Sequence, residues 1–427
     1  METRESYPID VEAIREDFPI LQRKVGGDAQ TPGEGPEDDT PLAYLDNAAT
    51  SQTPEQVLEV IVDYYRGYNS NVHRGIHELS QEASVAYERA HDRVADFVGA
   101  SGEREELIFT KNTTESINLV AYAWGLNELS AGDRIVLTEM EHHASLVTWQ
   151  QIAKKVGAEV KYIRIDENGY LDMDHAAELI NEDTQMVSVV HVSNALGTIN
   201  PVEELASMAH EQDAYIMVDG AQSVPTRPVD VEEIDADFMA FSGHKMLGPT
   251  GIGCLYGKRH LLDAMEPYLY GGMMIKKVTY EESTWNDLPW KFEAGTPLIA
   301  QAIGLDAAID YLDDIGMERV QRHEERLSRY AYERLSEFDD VEIFGPSPDQ
   351  GRGGLVAFNV GSVHAHDLAS IVNDHGVAIR AGDHCTQPLH DKLGVAASAR
   401  ASFYIYNTEA EIDTLVDAID DARQLFA

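Results

Sequence analysis

The chain is poor in cysteine and in basic residues. Its 427 residues include two cysteines, Cys254 and Cys385, which excludes a disulfide framework. Lysine and arginine total 32 against 75 aspartates and glutamates, so the net charge is −43. Such a surface repels phosphate backbones and anionic lipids, which argues against binding to nucleic acid or membranes. Dense carboxylates are typical of a protein that stays hydrated in a salty cytoplasm, and an acidic face for a partner protein is the alternative.

The sequence also lacks long hydrophobic runs. No apolar stretch approaches the ~20 residues that a membrane span requires. The N-terminal sequence METRESYPIDVEAIREDFPIL is acidic and has no apolar segment of the signal-peptide type. We therefore expect a cytoplasmic protein. Its length favours two domains, and residues 26–41, rich in glycine, proline and acids, are expected to form a solvated loop.

Short apolar runs alternate with helical patterns from residue 106 onward. This alternation predicts a mostly parallel sheet covered by helices on both faces. After a long helical region near residue 300, a smaller αβ unit follows. We expect an N-terminal segment 1–40 packed with the small domain, a large domain 41–305 and a small domain 306–427. The predicted strands of the large domain lie within 106–110, 133–140, 159–166, 186–194, 214–221, 237–243 and 251–257.

Two of these strands end in charged residues. Asp219 closes IMVD, with Gln222 three residues later, and Lys245 closes the segment FSGHK. Ligands of open α/β sheets bind outside the carboxyl ends of the strands. Asp219 is suited either to capping a helix or to holding a cationic group of a cofactor. A lysine at the end of a buried strand indicates a lowered pKa and attack on a carbonyl.

A third segment, IFTKNTTESINLV, predicts a helix N-terminus. Asn112 and Glu115 have capping-box spacing, which places Thr113 and Thr114 where backbone N–H groups can bind a phosphate. A plain capped helix is the alternative.

Two other motifs argue against other cofactors. His142 and His143 lack the spacing of a helical zinc motif. The pair His73 and His77 has the i,i+4 spacing but lacks the glutamate of that motif, so we expect no metal. The glycines of GIGCLYG miss the dinucleotide fingerprint. In contrast, an acid for a pyridinium nitrogen, a lysine for an aldehyde and a helix N-terminus for a phosphate are the contacts that pyridoxal phosphate needs.

These residues carry a family resemblance. Over nearly its whole length the chain resembles the SufS-type cysteine desulfurases, pyridoxal-phosphate enzymes of the class-V aminotransferase type. The resemblance implies an α/β protein of fold type I, with a mostly parallel central sheet in a large domain and a smaller C-terminal α/β domain. The matching motifs are YLDNAAT, HRGIH, TTESINLVAYAW, MEHHAS, HVSNALGT, VDGAQS, SGHKMLGPTGIG, FEAGTP and RAGDHCTQPL.

The resemblance implies roles around the cofactor. Lys245 would carry pyridoxal phosphate and move protons at the substrate α-carbon, while Asp219 would pair with the pyridine nitrogen. Gln222 would contact the ring hydroxyl and His142 would stack on the ring. The implied phosphate ligands are Thr114, Ser242 and His244. The resemblance also implies a homodimer, in which Thr296 would reach the phosphate from the partner subunit.

The resemblance also implies the substrate site and the nucleophile. Asn194 and Arg400 would hold the carboxylate of L-cysteine, with Arg380 nearby and His73 reaching in across the dimer interface. The Cys385 thiolate would attack the substrate sulfur, leaving L-alanine and an enzyme persulfide that supplies a SUF-type acceptor for iron–sulfur cluster assembly. A polar loop with His384 and Arg380 nearby favours the thiolate. Cys254, within an apolar run, is expected to be a core residue.

One departure from the family concerns the position before His384. The family commonly has a histidine there, whereas this chain has Asp383, whose negative charge tends to raise the thiol pKa. Three alternatives remain open: a selenocysteine lyase, another aminotransferase-like enzyme that would not need Cys385, and a sulfur or metal carrier without catalysis.

Overall fold

The protein is built around a seven-stranded sheet and a second, four-stranded sheet near the C-terminus. The computed structural model describes residues 8–25, 40–73, 75–101 and 103–426. The strands are β1 Lys24–Val25, β2 Thr40–Pro41, β3 Ala43–Tyr44, β4 Leu107–Thr110, β5 Arg134–Thr138, β6 Glu159–Ile163, β7 Thr184–Val190, β8 Tyr215–Asp219, β9 Phe238–Ser242, β10 Gly253–Gly257, β11 Ile275–Val278, β12 Ser283–Trp285, β13 Val341–Phe344, β14 Leu355–Val360, β15 Val377–Ala378, β16 Arg380–Gly382 and β17 Ser398–Ser402.

Helices cover both faces of the large sheet and one face of the small one. They are α1 Val11–Glu16, α2 Glu55–Asp63, α3 Glu78–Phe97, α4 Thr113–Val120, α5 Leu126–Glu128, α6 His143–Val156, α7 Met173–Leu179, α8 Val202–His210, α9 Arg259–Ala264, α10 Ile299–Ile315, α11 Met317–Leu335, α12 Ala365–Asp374, α13 Gln387–Leu393 and α14 Glu409–Leu425.

The large sheet has the strand order β4-β10-β9-β8-β7-β5-β6. Strand β10 is antiparallel to both of its neighbours, and the other pairs are parallel. Each of the seven apolar runs predicted in the large domain forms one of these strands. The predicted mostly parallel α/β sheet is therefore confirmed.

The strands are apolar on both faces because both faces are buried. Along β8, Ile216 and Val218 pack into the core on one side of the sheet, whereas Met217 packs into the core on the other. Successive side chains of a strand point to opposite faces, so a strand between two helical layers needs apolar residues at every position. Cys254 on β10 is fully buried in one of these cores, as expected for a packing residue.

The C-terminal sheet has the order β13-β14-β17-β16 and is antiparallel throughout. Its apolar face packs with α11, α12 and α14 into a separate core. Strand β17 ends at Ser402, earlier than the apolar run RASFYIYN predicts, because the chain leaves the sheet there to contact the large domain. The predicted capping box at the start of α14 is confirmed, with Thr408 and Glu411 each accepting from the other's backbone N–H.

Segments from different parts of the chain join the two sheets. Strand β3 pairs in parallel with β15, and Asp46 forms an isolated bridge with Ser402. Helix α10 runs through residue 305, the predicted domain boundary, and packs on α2 and α3. The division into three regions remains a prediction.

The N-terminal helix α1 contacts the C-terminal part of the chain. Arg15 donates to the carbonyl of Tyr406 at 2.6 Å and pairs with Glu411 at 2.8 Å. Of the predicted loop 26–41, only Thr40 and Pro41 belong to the described residues, and they pair with β1. Among the helices that the structure describes, none is long and apolar enough to cross a lipid bilayer.

We predict that the protein loses stability at low salt. The 75 acidic residues exceed the 32 basic ones by 43, so most carboxylates repel one another across the surface. Lowering KCl from about 1 M to about 0.1 M lengthens the screening distance from ~3 Å to ~10 Å and strengthens this repulsion. The thermal midpoint, followed by far-UV circular dichroism, should fall by several degrees. An unchanged midpoint would contradict the prediction.

Candidate active site

A cavity of about 250 Å³ lies at the carboxyl ends of β7, β8 and β9, between the two sheets. It brings together most of the residues that the sequence predicts for the site. Those that line it are Thr114, His142, Asn194, Asp219, Gln222, Ser242, His244, Lys245, Arg380, Cys385 and Arg400. Strands ending side by side explain the clustering, because each delivers its next residues to the same edge of the sheet.

Lys245 and Asp219 form the charged centre of the cavity. Burial lowers the pKa of Lys245 to about 8, and the carboxylate of Asp219 opposes this shift. Burial raises the pKa of Asp219, and Lys245 opposes that change in turn. Asp219 also accepts from the backbone N–H of Ala221 at 3.0 Å, which fixes its orientation. A lysine whose pKa is lowered toward neutrality has the uncharged amine that attack on an aldehyde requires.

A second buried acid, Glu141, lies near Asp219. Its Oε1 accepts from Thr138 at 2.7 Å and from the backbone N–H of Val190 at 3.0 Å. Burial raises the pKa of Glu141 to about 8, and the negative charge of Asp219 adds to the shift. At neutral pH Glu141 is therefore mostly uncharged. Sequence reasoning missed this residue, although it directly precedes His142.

One end of the cavity is suited to a phosphate. Helix α4 begins there, with Asn112 accepting from the N–H of Glu115 at 2.9 Å, so the predicted cap is confirmed. Glu115 accepts from the N–H of Lys111 at 2.6 Å instead of completing a capping box. Ser242 accepts from the N–H of Thr113 at 2.8 Å and brings the end of β9 to the helix start. The helix dipole and the first-turn N–H groups favour an anion there.

Three of the side chains that line the cavity are neutral: His142, Gln222 and His244. His142 accepts from the N–H of Ala144 at 3.0 Å through Nδ1, so its proton is on Nε2. Burial, with a contribution from Lys245, lowers the pKa of His142 to about 4, and that of His244 to about 4 as well. Gln222 donates to the carbonyl of Ala48 at 2.7 Å. A neutral imidazole can stack on an aromatic ring without adding a charge.

The opposite end of the cavity is suited to a carboxylate. Arg400 is 2% exposed and donates to the carbonyl of Asn194 at 2.8 Å and to Asp46 at 3.2 Å. Its Nε and the Oδ1 of Asn194 are buried and have no hydrogen-bond partner in the part of the chain that the structure describes. Arg380 forms a two-pronged contact with Asp46, which raises the pKa of Arg380. Unsatisfied buried groups of this kind indicate a site that a polar ligand completes.

Asp46 is a functional residue that sequence reasoning missed. It lies in the motif YLDNAAT and holds both arginines, since its carboxylate accepts from Arg380 and from Arg400. The motif itself was visible in the sequence. Only the fold places it between two arginines that come more than 330 positions later in the chain.

Cys385 is exposed at the mouth of the cavity on a tight loop. His384 and Cys385 both have left-handed backbone angles, with φ of 49° and 59°. Two large-domain residues hold this loop. The backbone N–H of His143 donates to the Cys385 carbonyl at 2.8 Å, and the Asn194 side chain donates to the His384 carbonyl at 2.7 Å. In addition, Nε2 of His143 accepts from the N–H of Gln387 at 3.0 Å.

The expected help of His384 in ionising the thiol is wrong. The His384 ring is buried in the small domain, where Nε2 contacts the hydroxyl of Ser398 at 3.0 Å. Burial lowers the pKa of His384 to about 2, so the ring carries no positive charge. Asp383 accepts from the N–H of Cys385 at 3.0 Å, and this contact shapes the turn. The cations that line the cavity with Cys385 are Lys245, Arg380 and Arg400.

Two predicted site residues lie outside this cavity within one chain. Thr296 is exposed on the segment that follows Phe292. His73, with φ of 67°, lies in a different cavity beside Trp290, 4.3 Å between ring centroids. Both were assigned to the dimer interface, so their roles remain predictions. Within the described ranges, no group of three or more histidine, cysteine or acidic side chains is placed to hold a metal.

A buried lysine opposite a carboxylate, a helix start for a phosphate and neutral ring contacts fit pyridoxal phosphate. The unpartnered groups of Arg400 and Asn194 leave room for a substrate carboxylate beside it. The mostly parallel sheet and this cavity define a pyridoxal-phosphate-dependent enzyme of the α/β type.

Comparison with known proteins gives the family. The aminotransferase class-V family model matches residues 43–415, and the chain belongs to this family of pyridoxal-phosphate-dependent enzymes. The chain is 77% identical to a cysteine desulfurase of Haloferax volcanii and 68% identical to a probable cysteine desulfurase of Halobacterium salinarum, over 100% of each chain. Its fold matches the apo structure of a cysteine desulfurase from Thermococcus onnurineus NA1 with a TM-score of 0.90 and 41% identity, covering 98% of this chain and 99% of the other.

We predict that His143 positions the Cys385 loop. His143→Ala removes the acceptor for the N–H of Gln387, a contact of about 1 kcal/mol, so the loop should open about fivefold more often. Alkylation of Cys385 by iodoacetamide should speed up by a similar factor, while bound cofactor stays unchanged. Mass spectrometry identifies which thiol has reacted. Cys254 should stay unmodified because it is fully buried.

The matched control for this variant is His143→Gln, whose side-chain carbonyl can accept the same bond and should restore the slow rate. Equal alkylation rates in His143→Ala and the wild type would show that the side chain of His143 does not hold the loop.

Proposed function

We propose that the protein is a cysteine desulfurase that converts L-cysteine to L-alanine and takes the sulfur onto Cys385. The observation that carries this proposal is the position of Cys385, whose exposed thiol lines the same cavity as Lys245 and Asp219. An aminotransferase needs no thiol at that place. A sulfur carrier without catalysis needs no lysine opposite a buried carboxylate.

The family resemblance implies the proposed cofactor contacts, and their residues, apart from Thr296, line the cavity. Bound pyridoxal phosphate supplies an electron sink that stabilises negative charge at the substrate α-carbon. Lys245 carries the cofactor and moves a proton at that carbon, and Asp219 keeps the pyridine nitrogen protonated. Gln222 donates to the ring hydroxyl and His142 stacks on the ring. The phosphate would be held by Thr114 at the start of α4 and by Ser242 and His244, with Thr296 of the second subunit added.

The proposed substrate contacts are cationic. Arg400 has an unpartnered Nε, and a guanidinium recognises a carboxylate through two parallel hydrogen bonds. Asn194 lies beside it, and Arg380 is held nearby by Asp46. In this proposal the carboxylate of L-cysteine binds at the arginines and its thiol points toward the loop of Cys385.

The sulfur transfer is then a displacement at sulfur. The Cys385 thiolate attacks the γ-sulfur of the bound cysteine, a new S–S bond forms, and the bond between the β-carbon and sulfur breaks. The electron pair of the broken bond stays with carbon, which takes up a proton to give the methyl group of alanine. L-cysteine and the thiol of Cys385 thus become L-alanine and the persulfide of Cys385. Arg380 and Arg400 line the same cavity as Cys385.

We further propose that the enzyme works as a homodimer and passes its sulfur to a SUF-type acceptor for iron–sulfur cluster assembly. Exposed apolar side chains near the predicted interface residues support the dimer. Ile76, on the segment after His73, is 94% exposed, and Tyr280, in the turn between β11 and β12, is fully exposed. The exposed position of Cys385 supports transfer to another protein, because an acceptor thiolate can reach a persulfide there.

We predict that Cys385→Ser abolishes alanine and sulfide release from L-cysteine. Serine cannot accept sulfur, so turnover under reducing conditions should fall by at least about 100-fold while the cofactor stays bound. The matched control is Cys254→Ser, which replaces the other thiol and should retain turnover if it folds. Equal activity of Cys385→Ser and the wild type would overturn the proposed nucleophile and favour an aminotransferase.

We also predict the pH dependence of cofactor attachment. Burial lowers the pKa of Lys245 to about 8, and only the neutral amine attacks the aldehyde. The rate at which apoprotein binds pyridoxal phosphate covalently should therefore rise with pH, with a midpoint near 8 instead of the ~10.4 of an ordinary lysine. In Asp219→Asn the midpoint should shift lower, because the carboxylate that favours the charged amine is gone. A midpoint near that of an ordinary lysine, measured by absorbance, would contradict burial of the amine.

A further inference from the structure

A second cavity, of about 380 Å³, shares no lining residue with the candidate active site. Three of its polar lining residues are more than nine-tenths buried: His191 is 7% exposed, Asn200 is 2% exposed and Arg227 is 9% exposed. Among the residues that the structure describes, Nδ1 of His191, Oδ1 of Asn200 and Nε of Arg227 are buried without a hydrogen-bond partner. Buried polar groups are nearly always satisfied, so the nitrogens of His191 and Arg227 point to a missing ligand. The Asn200 oxygen is an acceptor and does not contact an anion favourably.

Arg227 is the main charge of this cavity. Among the described residues its guanidinium has no hydrogen-bond partner, and no carboxylate lies within ion-pair distance of it. Burial lowers the pKa of Arg227, and the nearest acidic influences are Glu324 and Glu325. Burial raises the pKa of Glu324 well above its ordinary value, and the positive charge of Arg227 opposes this shift. A buried guanidinium without a partner is costly, and an anion bound to it removes that cost.

His191 adds a neutral donor beside the guanidinium. Burial lowers the pKa of His191 to about 3, and the positive charge of Arg227 adds to the shift. The neutral ring keeps one N–H to donate. Its backbone position is fixed, because the N–H of His191 donates to the carbonyl of Asp219 at 3.0 Å and its carbonyl accepts from Asn200 at 2.8 Å.

The wall of the cavity also contains the start of helix α8. Pro201 precedes the first residue, Val202, and both Asn200 and Pro201 line the cavity. The first-turn N–H groups and the helix dipole therefore favour negative charge at the same place as Arg227. Three acidic residues at the rim, Glu203, Asp230 and Glu233, oppose a ligand of higher charge.

We propose that this cavity binds a small monovalent anion of the carboxylate or chloride class, held by Arg227 and His191. A guanidinium fork fits a planar carboxylate best and also binds a halide. The acidic rim disfavours a dianion such as phosphate or sulfate. The two sites are close in sequence. Arg227 follows Asp219 and Gln222, which line the candidate active site, within a few residues.

The test uses holoenzyme in a potassium sulfate background that contains neither carboxylate nor chloride. Binding of radiolabelled acetate is measured by equilibrium dialysis for the wild type, for Arg227→Gln and for Arg400→Gln. The last variant serves as the matched control, because it removes the carboxylate contact of the active site and leaves the second cavity intact. Bound cofactor and the thermal midpoint confirm that each variant is folded.

We expect Arg400→Gln to retain one acetate site and Arg227→Gln to lose affinity at that site by at least about tenfold, the effect of one charge-assisted contact. Chloride should displace the acetate, whereas inorganic phosphate should not. Acetate should raise the thermal midpoint of Arg400→Gln but not that of the double variant Arg227→Gln/Arg400→Gln. Acetate binding that survives Arg227→Gln and disappears in Arg400→Gln, or a preference for phosphate over acetate, would overturn the proposal.

Discussion

The contacts of Arg400 hold the candidate active site together. This residue is on β17 in the C-terminal sheet, yet its guanidinium is buried against the large domain and donates to the Asn194 carbonyl and to Asp46. A buried cation needs such partners, so the two sheets are fixed relative to each other where it lies. The side chain of Asn194 in turn holds the carbonyl of His384. The same network therefore positions both the carboxylate site and the loop of Cys385.

The cavity is lined by cationic side chains, although the protein as a whole carries a large negative charge. The net charge is −43, but Lys245, Arg380 and Arg400 line a cavity in which Asp219 is the acidic lining residue. Burial then sets the protonation states, because desolvation disfavours every charged form. It lowers the pKa of Lys245 to about 8 and that of His142 to about 4. The result is a buried lysine with a lowered pKa, a neutral imidazole and cationic side chains that favour an anionic ligand.

Desolvation also disfavours the charged forms of the groups in the second cavity, which is separate from the candidate active site. Arg227 is buried at the end of a segment whose beginning, Asp219, faces the active site. In the one place Asp46 pairs with Arg400, and in the other no described carboxylate lies within ion-pair distance of Arg227.

The sequence by itself determined the sheet and the chemistry at its edge. Apolar runs of five to nine residues separated by helical patterns predicted strands buried on both faces, and Asp219 and Lys245 at their ends predicted a site there. It also determined the caps of α4 and α14, because capping depends on residues three positions apart. Tertiary structure alone decided the remaining features. These are strand β13, the contacts of Asp46 with two arginines, the contacts of His143 with the Cys385 loop, and the burial of the His384 ring. Each of these depends on which distant segment becomes a neighbour, and that information is not contained in local periodicity or in a motif.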